Sequence, residues 1–152
     1  MQASSSNIPF QVTHGCLVAT LHGVVDDSHL IDFQNQILRE VKTTLVKGVV
    51  LDMSQVRVID DMTFERLIRV SNSLEMLGCA VTYCGFQPPV VAALVHLEVD
   101  ISRAQAFFNL EAAIRYLNEE FYEQFSGSEE DENETEKDEK VEKSAEDDEP
   151  GG

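Results

Sequence analysis

The segment Gly48–Phe64, GVVLDMSQVRVIDDMTF, constrains the fold of this chain more than any other part of it. Its apolar run Val49–Leu51 is typical of a strand that is covered on both faces in an α/β sheet. We predict a buried strand over Gly48–Met53, a loop over Ser54–Val58, and a helix that begins near Asp61. A strand, a loop and a helix in this order indicate an α/β protein.

Two adjacent carboxylates, Asp60 and Asp61, stand where the predicted helix begins. Side-chain oxygens at a helix start accept hydrogen bonds from N–H groups that have no partner within the helix, and negative charge suits the positive end of the helix. Partners of α/β proteins usually dock at the carboxyl ends of the strands. This segment is therefore the candidate functional surface, and plain helix capping is the simpler interpretation of both acids.

The remainder of the globular part alternates strands and helices. A hairpin is predicted around His14-Gly15, and the last strand is expected to be short. The further predicted elements are strands Ile8–Thr13, Cys16–Leu21 and Ala80–Cys84, a short strand within Val99–Phe107, and helices from Asp26 to about Leu45, from about Asp61 to Gly78, over Val90–Leu97 after Gln87-Pro88-Pro89, and from Leu110 to about Phe125.

The charge of the chain is strongly uneven. Of its 28 acidic and 11 basic residues, 13 acids and 3 lysines lie in residues 126–152, which carry −10 of the net charge of −17. We expect this tail and residues 1–7 to be disordered, and residues 8–125 to form one domain. An acidic domain without a basic patch argues against nucleic acid or an anionic membrane as its partner.

Other composition signals also narrow the function. No apolar run approaches the ~20 residues of a membrane span, and no charged-then-apolar leader precedes Pro9, so we expect a cytoplasmic protein. The three cysteines lack C-x-x-C spacing and lie in apolar runs, which favours reduced thiols in the core. The four histidines are far apart without the spacing of metal ligands, so neither a metal nor another cofactor is expected.

These features together resemble the STAS domain of anti-sigma-factor antagonists over about Pro9 to Phe125. The resemblance rests on the strand GVVLDMS, the helix start VIDDMT and the segment LGCAVTYCGFQPPVVAALVHLEVD. Within the family, the pattern of Gly78, Gly85 and Pro88 is most similar to the short scaffold subunit of the stressosome, a bacterial signalling assembly. The resemblance implies a mixed sheet of about four or five strands with about four helices packed mainly on one face.

The resemblance also implies a non-enzymatic function in protein binding. In the family, a histidine-kinase-like Ser/Thr switch kinase phosphorylates a Ser or Thr at the start of the second helix, and this position maps to Asp61. A second phosphosite of larger sensor paralogues maps near Ala93. Neither residue has a hydroxyl group, so the phosphoswitch would be fixed in one state. Thr63 or Ser54 would be the alternative acceptors.

The implied partners are STAS paralogues in a homo- or hetero-oligomer, and the switch kinase or an anti-sigma factor. The contact surface is predicted at the start of the second helix, with arginines further along it and the preceding loop beside it. The predicted contact residues are Ser54, Val58, Asp60, Asp61, Met62, Thr63, Phe64, Arg66 and Arg69.

Two other functions compete with this interpretation. One is a STAS module of a transport-associated or lipid- or anion-binding system. The weaker one is a receiver-like phosphoacceptor domain, since Val24–Asp27 and Val49–Met53 resemble its acidic pair and acceptor strand. Receiver chemistry needs Mg²⁺ and a lysine near the acyl phosphate. No lysine occurs between Lys47 and Lys137, and only one helix fits before Val49.

Overall fold

The computed structural model describes residues 8–121 and residue 123 of the chain. The predictions of a disordered segment over residues 1–7 and a disordered tail over residues 126–152 lie outside the described residues, as does the predicted end of the last helix near Phe125. The chain divides into two units, Met1–Leu117 and Asn118–Gly152. The described residues of the second unit are helical.

Five strands form one mixed sheet in the order in which they occur along the chain. The hairpin pair β1 and β2 is antiparallel, and each later strand is parallel to its predecessor. His14 and Gly15 both have positive φ, at 52° and 76°, as a two-residue hairpin turn requires. The strands are β1 Phe10–Thr13, β2 Cys16–Val24, β3 Gly48–Val58, β4 Ala80–Cys84 and β5 Ala106–Phe107.

Four helices connect or follow these strands, and each begins within two residues of its predicted start. Asp26 caps the first helix and Asp60 the second, while prolines occupy the first turn of the third, where no N–H group is lost. The helices are α1 Asp27–Thr44, α2 Asp61–Met76, α3 Pro88–His96 and α4 over residues 110–121.

The two faces of the sheet bury different side chains. The larger core contains β-strand residues such as Leu51 and Tyr83 together with Phe33 of α1, Phe64 of α2 and Leu94 of α3. On the opposite face, a smaller core is formed by alternate strand residues and three residues of α4. Three helices therefore cover one face and α4 covers part of the other, which confirms the predicted α/β fold.

The three cysteines all lie in these cores as free thiols. Burial raises the pKa of Cys16, Cys79 and Cys84, and it raises that of Cys84 to about 12, with Asp52 adding to the shift. A thiol with a raised pKa is protonated at neutral pH and is a poor nucleophile. These residues therefore act as small apolar core residues, as the sequence analysis predicts.

The prediction of a loop over Ser54–Val58 is wrong. β3 continues to Val58, and its second half pairs with the end of β2 through two register shifts, with Gln55 opposite His22 and Val58 opposite Val24. β4 ends opposite Asp52, so among the described strands this part of β3 has a neighbour on one side only. Polar side chains are tolerated there because the strand is partly exposed. This half of β3 therefore lacks the apolar run by which a buried strand is recognised in a sequence.

Candidate functional site at the start of helix α2

Asp60 and Asp61 hold the first turn of α2 in different ways. Asp60 is the N-cap residue, and its Oδ1 accepts a hydrogen bond from the Thr63 N–H at 2.7 Å. Asp61 is the first helical residue, and its Oδ1 accepts from the Met62 N–H at 2.9 Å. The turn is thus fixed by both carboxylates, and the capping role expected of Asp60 is confirmed.

The N-cap carboxylate is held in its ionised form by Thr63. Hydrogen bonds from the hydroxyl and the backbone N–H of Thr63 lower the pKa of Asp60, because both donors favour the charged carboxylate. Thr63 itself is only 3 % exposed. Its hydroxyl is therefore committed to the cap and shielded from solvent, which makes it a poor acceptor for a phosphate.

The exposed part of the helix start is small and combines apolar and acidic side chains. Val58 and Met62 are 56 % and 71 % exposed, and Asp60 and Asp61 are exposed beside them in the chain. Phe64, by contrast, is fully buried in the core. The expectation that Thr63 and Phe64 contribute to a contact surface is therefore wrong. Both side chains are buried beneath the exposed residues of the helix start.

The two predicted arginines lie further along α2 and differ in their surroundings. Arg66 is half-buried, and its Nη1 lies 3.6 Å from Oδ1 of Asp27 in α1. Arg69 is exposed, and its backbone carbonyl accepts a hydrogen bond from the Ser73 hydroxyl. At 1.5 Å per residue, Arg69 lies roughly 12 Å along the helix from Asp61. A partner must therefore cover two helical turns to contact both residues.

Ser54 lies away from the helix start. It is four residues before the end of β3, or roughly 13 Å along the strand from Val58. Its N–H donates to Oδ1 of Asp52 at 2.9 Å. Ser54 lines a separate open cleft of about 710 Å³ together with His22, Arg57 and other polar residues. The structure thus does not bring Ser54 together with the exposed residues of the helix start.

A second acidic helix start lies beside the first, and the sequence analysis missed this arrangement. β2 and β3 are parallel with Val24 opposite Val58, so the residues that follow each strand are neighbours. Asp26 caps α1 through the His29 N–H at 3.0 Å, and Asp27 faces Arg66 of α2. The signal was present in the sequence as Val24-Val25-Asp26-Asp27 and Val58-Ile59-Asp60-Asp61. The two segments become neighbours only through the register between β2 and β3, and the sequence alone does not reveal that register.

Within residues 8–121 and residue 123, no group of three or more His, Cys, Asp or Glu side chains is arranged to hold a metal ion. No helix in the same part of the chain is both long and apolar enough to cross a membrane. The acids at the two helix starts are instead engaged with backbone N–H groups, a hydroxyl, a histidine and an arginine.

The chain belongs to the STAS domain family, because the model of that family matches residues 7–113. This range includes the whole sheet and the starts of α1 and α2. The fold class and the resemblance predicted from the sequence are both confirmed.

Three similar proteins illustrate this membership. A serine-to-glutamate variant of RsbS from Moorella thermoacetica is 25 % identical, with a TM-score of 0.63 over 75 % of this chain and 97 % of that one. RsbRD, an RsbT co-antagonist protein of Bacillus subtilis, is 23 % identical over 68 % of this chain, but the match spans only 37 % of RsbRD. The uncharacterized Bacillus subtilis protein YezB is 28 % identical over 47 % of this chain and 74 % of its own length.

Proposed function

We propose that this chain is a non-enzymatic scaffold or anti-sigma-factor antagonist of a cytoplasmic stress-signalling complex. It binds a switch-type Ser/Thr kinase or an anti-sigma factor, and it assembles with STAS paralogues. The observation that carries this proposal is the exposed start of α2, where Val58 and Met62 stand beside Asp60 and Asp61. Family membership and the relatives RsbS and RsbRD support it.

The mixed character of this surface suits a protein partner. Exposed apolar side chains supply the area that is removed from water on binding, and the adjacent carboxylates restrict the partner to one of complementary charge. Asp26 and Asp27 extend the negative charge from the neighbouring helix start. A partner other than the kinase that docks here would present basic side chains around an apolar centre.

We infer from the family resemblance that Asp61 stands in for the phosphorylated Ser or Thr at the start of the second helix. A phosphate carries about −1.5 to −2 charges and three acceptor oxygens, whereas a carboxylate carries one charge and two oxygens. The charge of Asp61 is permanent, since no phosphatase removes it. We propose that Asp61 fixes the switch in the state that corresponds to phosphorylation, in which the hold on the kinase is weak.

The direct test is the affinity of the full chain for RsbT, which the name of the relative RsbRD identifies as a target, and for kinases that co-purify from native cells. Asp61→Ser should strengthen binding in calorimetry by about 1–3 kcal/mol and should create a site that the kinase phosphorylates. Asp27→Ser is the matched control, because Asp27 is likewise an exposed acid in the first turn of a helix.

Equal affinities of the wild type and Asp61→Ser would overturn the fixed switch and leave Asp61 as a helix-start residue. An equal gain from Asp27→Ser would assign the effect to the summed charge of the surface instead of position 61. Co-purification of a transport protein in place of a kinase or anti-sigma factor would favour the transport-associated alternative.

A further inference from the structure

An apolar cavity of about 280 Å³ lies between α2, α3 and the segment that leads into β5. Its inner wall includes the fully or almost fully buried side chains of Phe64 and Leu94. Its mouth includes Val91, Ile101 and Phe108, which are 39 %, 43 % and 93 % exposed. The cavity is thus open to solvent at one end and closed by core residues at the other.

The chemistry of the lining is uniform. Every residue that lines the cavity carries a hydrocarbon side chain, and no charged or hydrogen-bonding side chain faces a ligand there. A charged molecule would lose its hydration without compensation, so the lining selects a neutral and mainly apolar one. Ligand sites in proteins are typically concave and apolar in this way.

The geometry of the inner wall favours an aromatic ligand. The rings of Phe64 and Phe86 meet edge to face with centroids 6.1 Å apart, and Phe86 stacks on Tyr83 at 5.9 Å. A further ring can continue such a cluster through offset or edge-to-face contacts. An apolar cavity of about 150 Å³ holds benzene. A cavity of about 280 Å³ therefore has room for one or two rings.

We propose that this cavity is a binding site for a small, neutral aromatic molecule of one or two rings. The site is distinct from the exposed partner surface proposed above and does not depend on it. The domain can thus respond to a small molecule at the cavity as well as to a protein at the partner surface.

The cavity is directly connected to the first turn of α2. Phe64 lies in its wall, and the N–H of Phe64 donates to the carbonyl of the N-cap residue Asp60 at 3.0 Å. The preceding residue, Thr63, donates to the Asp60 side chain. A ligand that moves the ring of Phe64 must therefore change the environment of these backbone amides.

The test is an amide NMR titration of the full chain with indole as the probe. Indole should cause saturable shifts of residues around the cavity and of the amides from Asp60 to Phe64. The variant Val91→Phe should obstruct the mouth of the cavity and weaken indole binding by at least about tenfold. Val95→Phe is the matched control, because Val95 lies one turn further along α3, is 59 % exposed and does not line the cavity.

Should Val91→Phe fail to fold, Ala104→Phe fills the same cavity from the segment before β5. Saturable binding that is lost in the filled variant and kept in Val95→Phe supports the site. Shifts that do not saturate, or an equal loss in both valine variants, overturn it. Shifts of the cavity amides on dilution without indole would show that a second copy of the chain occupies the cavity, and they would also overturn the proposal.

Discussion

Asp60 and Asp61 are chemically identical neighbours, yet the backbone gives them different tasks. Asp60 has the extended conformation of an N-cap residue and reaches forward to Thr63, three residues along the chain. Asp61 is already helical, and its side chain accepts from the adjacent N–H of Met62. Stability is therefore expected to depend mainly on Asp60, and partner recognition mainly on Asp61.

Replacing Asp60 by alanine should lower the free energy of unfolding by about 1 kcal/mol, because the N–H and hydroxyl of Thr63 lose their acceptor. Asp61→Ala should change it by less than about 0.5 kcal/mol. Urea denaturation of both variants measures the difference. The conservative change Asp60→Asn keeps a capping oxygen and should recover most of the loss, and equal effects of the two alanine variants would contradict this division of tasks.

The two N-cap carboxylates should also make the fold sensitive to acid. Hydrogen bonds from the His29 N–H and the Ser28 hydroxyl, together with the nearby His29 ring, lower the pKa of Asp26 to about 2, and the pKa of Asp60 is lowered by Thr63. A carboxyl whose pKa is depressed in the folded state stabilises that state above its unfolded pKa, and the contribution disappears as the pH falls through the folded pKa.

Stability should therefore decline between about pH 4 and about pH 2 through Asp26. Asp26→Asn retains a capping oxygen but does not titrate, so its unfolding free energy should fall less steeply over this range. Chemical denaturation at a series of pH values measures the two slopes. Parallel slopes for the wild type and the variant would show that Asp26 is not a source of the acid sensitivity.

At the scale of elements, the long strand β3 and the turn after β4 fit closely together. Gly85 follows β4 with φ of 73°, and a Cβ atom placed on it would lie 2.9 Å from the Cβ of Ser54. The turn thus packs against β3 where the ladder with β4 has ended at Asp52. Gly78, after α2, has φ of 89°, but apart from its chain neighbours no described residue comes within 4 Å of such a Cβ.

A comparison of alanine variants at these two glycines separates the cost of the left-handed backbone from the cost of a steric clash. Gly78→Ala should destabilise the protein by about 1 kcal/mol, from the left-handed backbone alone. Gly85→Ala should cost at least about 1 kcal/mol more, because Ser54 in β3 must also move. Thermal or urea unfolding gives both values, and equal losses would show that β3 adjusts freely at Ser54.

The sequence predicted correctly those elements that are signalled by a few neighbouring residues. The buried run Val49–Leu51, the caps Asp26 and Asp60, and the turn His14-Gly15 each carry a local signal, and the structure confirms them. Features that depend on distant residues were not predicted. The second half of β3 is stabilised by pairing with the end of β2, and the apolar cavity is built from separate segments of the chain.

For the candidate site, the sequence predicted correctly where the residues lie along the chain, but it did not predict which of their side chains are exposed. It predicted Asp60 and Asp61 at the helix start, where the structure has them. It did not show that Thr63 points into the protein, because the helical phase that decides this is set by packing against the sheet.

At the scale of the whole molecule, apolar surface and negative charge oppose each other. The exposed side chains Val24, Ile31 and Val58 offer area for contact with a second copy or a paralogue. The net charge of −17 repels such a copy, and −10 of it belongs to residues 126–152. Repulsion between exposed charges weakens as salt shortens its range. Assembly is therefore expected to depend on ionic strength.

We expect the full chain to self-associate at micromolar concentration, and more strongly when ionic strength rises from about 0.01 M to about 0.15 M, which shortens the Debye length from about 30 Å to about 8 Å. Light scattering, alone and with a larger STAS paralogue, measures this. A monomer under all of these conditions would contradict the prediction.

Deleting Gly127–Gly152 should leave the thermal midpoint unchanged, because a segment with 13 acids and two apolar side chains, Val141 and Ala145, has little to bury in a core. The shortened chain should associate at lower salt than the full one, since its charge is smaller. A loss of several degrees in the midpoint would show that the tail packs on the domain.

The one-sided pairing of β3 after Asp52 also has a consequence for how binding can be observed. Beyond the end of β4, alternate amides of β3 face a side on which no described strand accepts their hydrogen bonds. Such amides exchange their protons with solvent through small local openings, faster than amides in the centre of the sheet. These amides lie just before Asp60 in the chain, so their deuterium uptake reports on events at the start of α2. A partner that docks on the helix start should slow the uptake of deuterium at the end of β3.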